Sequence, residues 1–208
     1  MGEPAVVKIC GVTRRRDARL AVDHGADLLG LNFYPPSPRF VDVERARSIA
    51  DEVRGAVRLV GVFVDLPLPE VLEIERSVGL DLLQFHGDES ASELRSVAGR
   101  SIKAVRFDPR EGVPPLREWS SFWGLLLEPR HQRLHGGTGE SWDYRQVREP
   151  MRRLLVAGGI RPSNVVRALR QSGAWGVDVC SGVESRPGLK DEGLLTELFE
   201  NLHMARPE

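Results

Sequence analysis

Short apolar runs alternate with segments of helical spacing from one end of the chain to the other, and nothing else in the sequence restricts its fold so strongly. The first run, Ala5 to Ile9, leads from Thr13 into a stretch where Ala18, Ala21 and Val22 recur three or four apart. The same order, strand then helix, repeats at 27–33 and 43–53, 57–64 and 69–78, 80–85 and 90–98, 102–105 and 114–119, 122–127 and 144–153, 154–157 and 162–171, and 175–179 and 192–204. Eight units in 208 residues make 208/8 = 26 residues per unit. Strict alternation implies parallel strands joined by right-handed helical crossovers, with helices covering the sheet.

An open doubly wound sheet would carry a G-x-G-x-x-G turn after its first strand. Here that turn reads Cys10-Gly11-Val12-Thr13. The expected class is therefore α/β: a compact, single-domain (β/α)8 TIM barrel over residues 1–208, shorter than the typical ~250 residues. No Pro/Ser-rich linker or low-complexity segment divides it.

With 29 basic and 30 acidic side chains the formal net charge is −1, which argues against a nucleic-acid partner, since that affinity comes from clustered cations. Of the basic residues only Lys8, Lys103 and Lys190 are lysines, which reads as compositional bias. No run approaches the roughly 18 apolar residues of a membrane span, and the opening residues lack a secretory pattern. Cys10 and Cys180 are too few for a disulfide-built scaffold and suit a reducing compartment. A cytoplasmic protein is expected.

In a barrel, functional residues gather at the carboxyl ends of the strands and in the loops beyond them. Strand one ends Lys8-Ile9-Cys10, and alternation puts Lys8 and Cys10 on one face, inward if Val7 and Ile9 face the helices. A cation two residues from a thiol favours thiolate, and a modest drop from about 8.5 would make a base usable near neutrality. The plainer alternative is a small buried Cys10, with Lys8 paired to a carboxylate. Strand eight places Asp178 and Cys180 on one face. In a closed barrel it neighbours strand one, so Asp178 is the natural partner of Lys8 and Cys180 falls near Cys10. The absence of C-x-x-C argues against a redox disulfide.

Strand six ends Leu125-Leu126-Leu127-Glu128, a carboxylate at the rim or a solvated loop residue beside Arg130. His86 ends strand four in Gln84-Phe85-His86-Gly87-Asp88. No second histidine or cysteine stands at ligand spacing, so no metal is expected. Arg39, in the proline-stiffened loop Pro35-Pro36-Ser37-Pro38-Arg39, has a planar fork suited to a substrate carboxylate. Gly158-Gly159 and Ser181-Gly182 follow strands seven and eight, where barrels commonly hold phosphate. The segment His135-Gly136-Gly137-Thr138-Gly139 lacks the Lys-Ser/Thr ending of a nucleotide P-loop and reads as a loop, a candidate lid.

Taken in order, these residues resemble the phosphoribosylanthranilate isomerase family. The likeness rests on Val7-Lys-Ile-Cys-Gly-Val-Thr13, Phe33-Tyr-Pro-Pro-Ser-Pro-Arg39, Gln84-Phe-His-Gly-Asp-Glu89, Gly136-Gly-Thr-Gly139, Leu155-Val-Ala-Gly-Gly-Ile160 and Gly176-Val-Asp-Val-Cys-Ser-Gly-Val-Glu184, segments spread over almost the whole chain. It implies an Amadori rearrangement in tryptophan biosynthesis. N-(5-phosphoribosyl)anthranilate becomes 1-(2-carboxyphenylamino)-1-deoxyribulose 5-phosphate with no cofactor. By the same resemblance Cys10 is the base and Glu128 the acid. Arg39 holds the anthranilate carboxylate, and Gly158, Gly159, Ser181 and Gly182 hold the phosphate. His86 and Asp178, at the ends of strands four and eight, are further candidates for substrate binding.

Two positions depart from the family pattern. The family's acid is an aspartate, and family members usually carry serine where this chain has Cys180. Glutamate and aspartate differ by only about 0.4 pKa units, whereas the extra methylene moves the carboxylate by about 1 Å, which can cost ~10²-fold. Either the site is built around a glutamate, or the enzyme is slowed, or Asp178 serves instead. Two further readings stay open: a silent barrel that only binds a phosphorylated ligand, and a histidine-pathway Amadori isomerase. The latter uses aspartates ending strands one and five, where this chain has Cys10 and Val105-Arg106. The expected partner is a small phosphorylated substrate, with the protein a monomer or homodimer.

Overall fold

The computed structural model describes residues 5–130, 142–148 and 152–205. Eight parallel strands, β1 (Val6–Cys10), β2 (Leu28–Asn32), β3 (Arg58–Phe63), β4 (Leu82–Phe85), β5 (Ser101–Phe107), β6 (Gly124–Pro129), β7 (Leu154–Val156) and β8 (Gly176–Val179), close into a barrel in sequence order. The seam is β1 against β8, with Lys8 opposite Asp178 and Ile9 opposite Val179. The expected TIM barrel is the observed fold.

The pleat sorts side chains into two cores. Val7, Ile9, Leu29, Leu83 and Leu125 face outward and pack against the helical layer. Leu28, Val60, Leu82, Ile102, Leu126 and Leu155 fill the inside of the barrel. A residue two positions further along an inward-facing row therefore emerges toward the carboxyl end, and these are the positions that hold the chemistry.

Among the described residues five α-helices form: α1 (Arg15–Asp23), α2 (Val43–Val53), α3 (Leu68–Val78), α4 (Val165–Ser172) and α5 (Glu192–Met204). The side chains of Asp42 and Asp191 accept from Arg45 N and Leu194 N and so cap α2 and α5. Glycines in left-handed conformation, Gly79 and Gly173, end α3 and α4.

Two of the eight expected helices are not α-helices, and a third is not one in its described part. The 90–98 stretch is a series of turns ending in a 3-10 turn at Ala98–Arg100. Ser90 there binds Glu93 through both its N–H and its hydroxyl, competing with helical bonding. The 114–119 stretch keeps only a 3-10 turn, Arg117–Trp119, because each proline disfavours helical backbone in the residue before it, which keeps Val113 and Pro114 out of the helix and leaves too few residues for one. In 144–153 the described part is a 3-10 turn, Tyr144–Gln146, whose Tyr144 ring is tied to the end of β7. After β8 a small hairpin appears that alternation did not suggest, β9 (Glu184–Arg186) against β10 (Leu189–Lys190). Among the described residues no helix is long and apolar enough to cross a membrane.

Candidate active site

Cys10 ends β1 with its thiol inside the barrel rim. The adjacent strand makes room for it at Gly30, where a Cβ would lie 2.7 Å from the sulfur. One layer below, Lys8 is fully buried and donates from Nζ to Asp178 Oδ1 at 2.9 Å, the pairing expected from alternation. Burial alone would discharge this ammonium, but Asp178, and secondarily Cys10, hold it charged well above its ordinary range.

Cys180 is hydrogen-bonded to Cys10, and the two thiols share their charge unequally. The bond to Cys10, together with nearby Lys190 and Arg39, outweighs burial and lowers Cys180 to about 7. The same bond, then burial, pushes Cys10 well above an ordinary thiol against the pull of Lys8. This corrects the expectation that Lys8 would depress Cys10. The bond between the two sulfurs keeps the proton on Cys10, and the charge collects on Cys180, the sulfur nearer Lys190 and Arg39.

Glu128 ends β6 and is buried, with 6% of its surface exposed, so it is not the solvated loop residue that remained open from sequence. Its Oε1 lies 2.6 Å from His86 Nε2. His86 Nδ1 lies 2.9 Å from the amide nitrogen of Gln84, two residues back on β4. The imidazole is buried, which opposes its charging, yet Glu128 above all, and Cys10 after it, raises its pKa above the ordinary histidine value. The turn after it is pinned by Lys103, which donates to Gly87 O and Glu89 at 2.8 Å each.

Arg39 reaches back from the β2 loop over Gly11. Its Nε and Nη2 donate to both oxygens of Glu184, at 3.0, 3.1 and 2.7 Å, while Nη1 takes no part in that fork. Lys190 on β10 donates to the same carboxylate at 2.9 Å and to Cys180 O at 3.2 Å. Burial raises the Glu184 carboxyl, but the two cations outweigh it and hold it below the usual range. Sequence reasoning assigned no role to Glu184, Lys190 or Gln84; the hairpin and the barrel closure bring them in.

Gly158 and Gly159, both with positive φ, follow β7. The carbonyls of Ala157, Gly158 and Gly159 accept from Trp142 Nε1, Tyr144 Oη and Asn164 Nδ2. In a trans peptide C=O and N–H point oppositely, so anchoring these carbonyls turns the N–H groups of Gly158, Gly159 and Ile160 the other way. Gly182, in the 3-10 turn Ser181–Val183, lies so close to this loop that a Cβ would be 1.9 Å from Ile160 O. The two glycine turns are thus in contact.

All nine sequence-selected residues lie at the carboxyl end of the barrel or one layer beneath it. The His135–Gly139 segment lies outside the described residues. Among those described, no cluster of His, Cys, Asp and Glu could hold a metal. A separate cavity of about 760 Å3, lined from Pro109 to Arg117 and by Gln146 to Arg148, contains none of the nine.

The sequence profile of N-(5'phosphoribosyl)anthranilate (PRA) isomerase matches residues 7–201. The chain belongs to the phosphoribosylanthranilate isomerase family. It is 43% identical over 187 residues to the N-(5'-phosphoribosyl)anthranilate isomerase of Cellvibrio japonicus, covering 89% of this chain and 87% of that one. Among solved structures, the phosphoribosyl anthranilate isomerase of Thermus thermophilus superposes with a TM-score of 0.85 at 35% identity, over 97% of this chain and all of the other. A second structure of the family holds reduced 1-(o-carboxyphenylamino)-1-deoxyribulose 5-phosphate; it superposes with a TM-score of 0.79 at 33% identity over 96% of this chain and 99% of its own. Family membership sets aside the histidine-pathway reading.

Proposed function

We propose that the chain isomerises N-(5-phosphoribosyl)anthranilate to 1-(2-carboxyphenylamino)-1-deoxyribulose 5-phosphate in tryptophan biosynthesis, with Cys10 as base and Glu128 as acid. The observation that carries this reading is the placement of a thiol and a buried carboxyl on the inner face of one barrel rim, at the ends of β1 and β6.

Glu128 donates a proton to the ribose ring oxygen as the C1′–O bond breaks, the bond's electron pair staying on oxygen and the anilino nitrogen forming C1′=N. Cys10 thiolate then takes the proton from C2′, and the resulting enolamine becomes the ketone when that proton returns to C1′ and the C2′ hydroxyl gives up its own to the Glu128 carboxylate, which restores both groups. The thiolate reaches Cys10 by transfer of its proton to Cys180, whose lower pKa keeps one negative charge on the sulfur pair near neutrality. Base and acid each contribute typically 10²- to 10⁴-fold.

Arg39 offers Nη1 to the anthranilate carboxylate while Glu184 holds the guanidinium plane. The phosphate lies against the N–H groups of Gly158, Gly159, Ser181 and Gly182, and Asp178 acts through Lys8 on the base. The protein works in the cytoplasm on a small phosphorylated ligand, as a monomer or homodimer.

The test is an anthranilate-fluorescence assay on purified Cys10→Ala and Glu128→Gln. Each is expected to lose about 10²-fold or more in kcat with KM little changed. Near-full activity in Glu128→Gln would overturn the acid assignment, and no substrate consumption by the wild type would leave only a ligand-binding barrel.

A further inference from the structure

A carboxyl group is by itself a poor acid at neutral pH: with an ordinary pKa of about 4.3, roughly one molecule in a thousand carries its proton at pH 7.5. Glu128 does not stand by itself. His86 lies 2.6 Å from Oε1, both groups are buried, and Gln84 contacts the far ring nitrogen at 2.9 Å. Oε2 takes no part in that bond.

We propose that the acid of this site is the Glu128–His86 pair, with His86 a positioning residue that keeps the pair's shared proton in the site for delivery through Glu128. This rests on the reading of Glu128 as the acid. Two interacting groups at this distance titrate together, and the pair gives up its proton at a pH set by both. The pair before reaction holds one proton beyond neutral imidazole and carboxylate. That proton passes from the carboxyl to the ring oxygen, and the carboxylate left behind accepts from Nε2–H.

A second observation bears on the same point. The Gln84 side-chain oxygen is buried without a hydrogen-bond partner. With its NH2 toward His86, Gln84 donates to a neutral Nδ1; with the amide turned over, that orphan oxygen accepts from the Nδ1–H of the imidazolium. The far side of the ring is therefore served in either protonation state.

The other charged and titratable groups around the ring do not cancel the effect of Glu128. From β1, Cys10 favours the imidazolium and Lys8 opposes it, with Lys8 already committed to Asp178. Lys103 on β5 is spent on Gly87 O and Glu89. Asp65, beyond β3, accepts from Asp88 N. The balance leaves His86 above its ordinary pKa.

The experiment compares kcat/KM against pH for wild type, His86→Gln and Glu128→Gln. Glutamine at 86 keeps an N–H donor for Glu128 but cannot hold a proton. The expected result for His86→Gln is a 10- to 100-fold loss in kcat, KM within threefold, and an alkaline limb moved at least one pH unit downward. A folded His86→Gln whose alkaline limb coincides with wild type overturns the proposal while leaving Glu128 as acid. A fully active Glu128→Gln overturns the parent reading instead. If His86→Gln does not fold, NMR titration of the His86 imidazole decides: its midpoint lies above 6.5 in wild type and falls in Glu128→Gln, and an unmoved midpoint overturns the pair.

Discussion

Lys8 and Asp178 stand opposite each other across the β1–β8 seam, 170 residues apart in sequence and 2.9 Å apart in space, with the ammonium wholly cut off from solvent. Their pair closes the barrel and floors the site below Cys10. Removing one partner of a buried pair leaves the other charge uncompensated, which costs more than the pair itself contributes. Asp178→Asn is therefore expected to lose about 3–5 kcal/mol of unfolding free energy, read as a lower urea midpoint with an unchanged slope. A midpoint equal to wild type would mean that Lys8 finds another anion.

Glu184 joins Arg39, Lys190 and the loop after β8. Its folded pKa lies below the unfolded value, so the stability it contributes is present above the unfolded carboxylate pKa of about 4.3 and is lost as pH falls through the lower folded value. Glu184→Gln should cost about 3 kcal/mol at pH 7 by stranding two cations and should flatten the acid side of the stability–pH curve. Because Arg39 loses its clamp, KM for substrate should rise more than kcat falls. Chemical denaturation from pH 3 to 8 and steady-state kinetics read the two effects separately.

The sulfur pair predicts a spectroscopic step. One thiolate forms near pH 7, where Cys180 titrates. In Cys180→Ser the hydroxyl does not ionise in that range, and the buried Cys10 remains the sole titrating thiol of the pair. Thiolate absorbance near 240 nm should thus show a midpoint close to 7 in wild type and none there in the variant. An identical titration in both proteins would place the charge on Cys10.

Contact between the two glycine turns leaves no space for a methyl group at Gly182, since a Cβ would press on the Ile160 carbonyl. Gly182→Ala must spread the loops assigned to the phosphate. A loss of about 1–3 kcal/mol in substrate binding corresponds to roughly a 5- to 150-fold rise in KM. Binding of inorganic phosphate, measured by calorimetry, should weaken in parallel. Equal KM values would move the phosphate to another loop.

Much of the site was legible because the pleat has a period of two. Once β1, β4, β6 and β8 are recognised, Lys8 and Cys10, His86, Glu128, and Asp178 and Cys180 must share the inward face at the carboxyl end. The helices of the middle units were misjudged where local chemistry overrode apolar spacing: paired prolines at Pro114-Pro115, and Ser90 bonding to Glu93. The β9–β10 hairpin was invisible for a related reason. Two short strands around Gly188 carry no periodic signal of their own.

The lysines show the boundary between the two kinds of information. In sequence, three lysines among so many arginines look like composition. In the folded chain each lies buried against a carboxylate: Lys8 on Asp178, Lys103 on Glu89, Lys190 on Glu184. The sequence alone determined the barrel, through the alternation of strand and helix, and the face on which each strand residue points, because both are local periodicities of the backbone. Only the tertiary structure decided which carboxylate meets which cation, which sulfur carries the charge and which base stands behind Glu128. Those outcomes depend on distances of a few ångströms between distant parts of the chain, in an interior where a charge without a partner is too costly to keep.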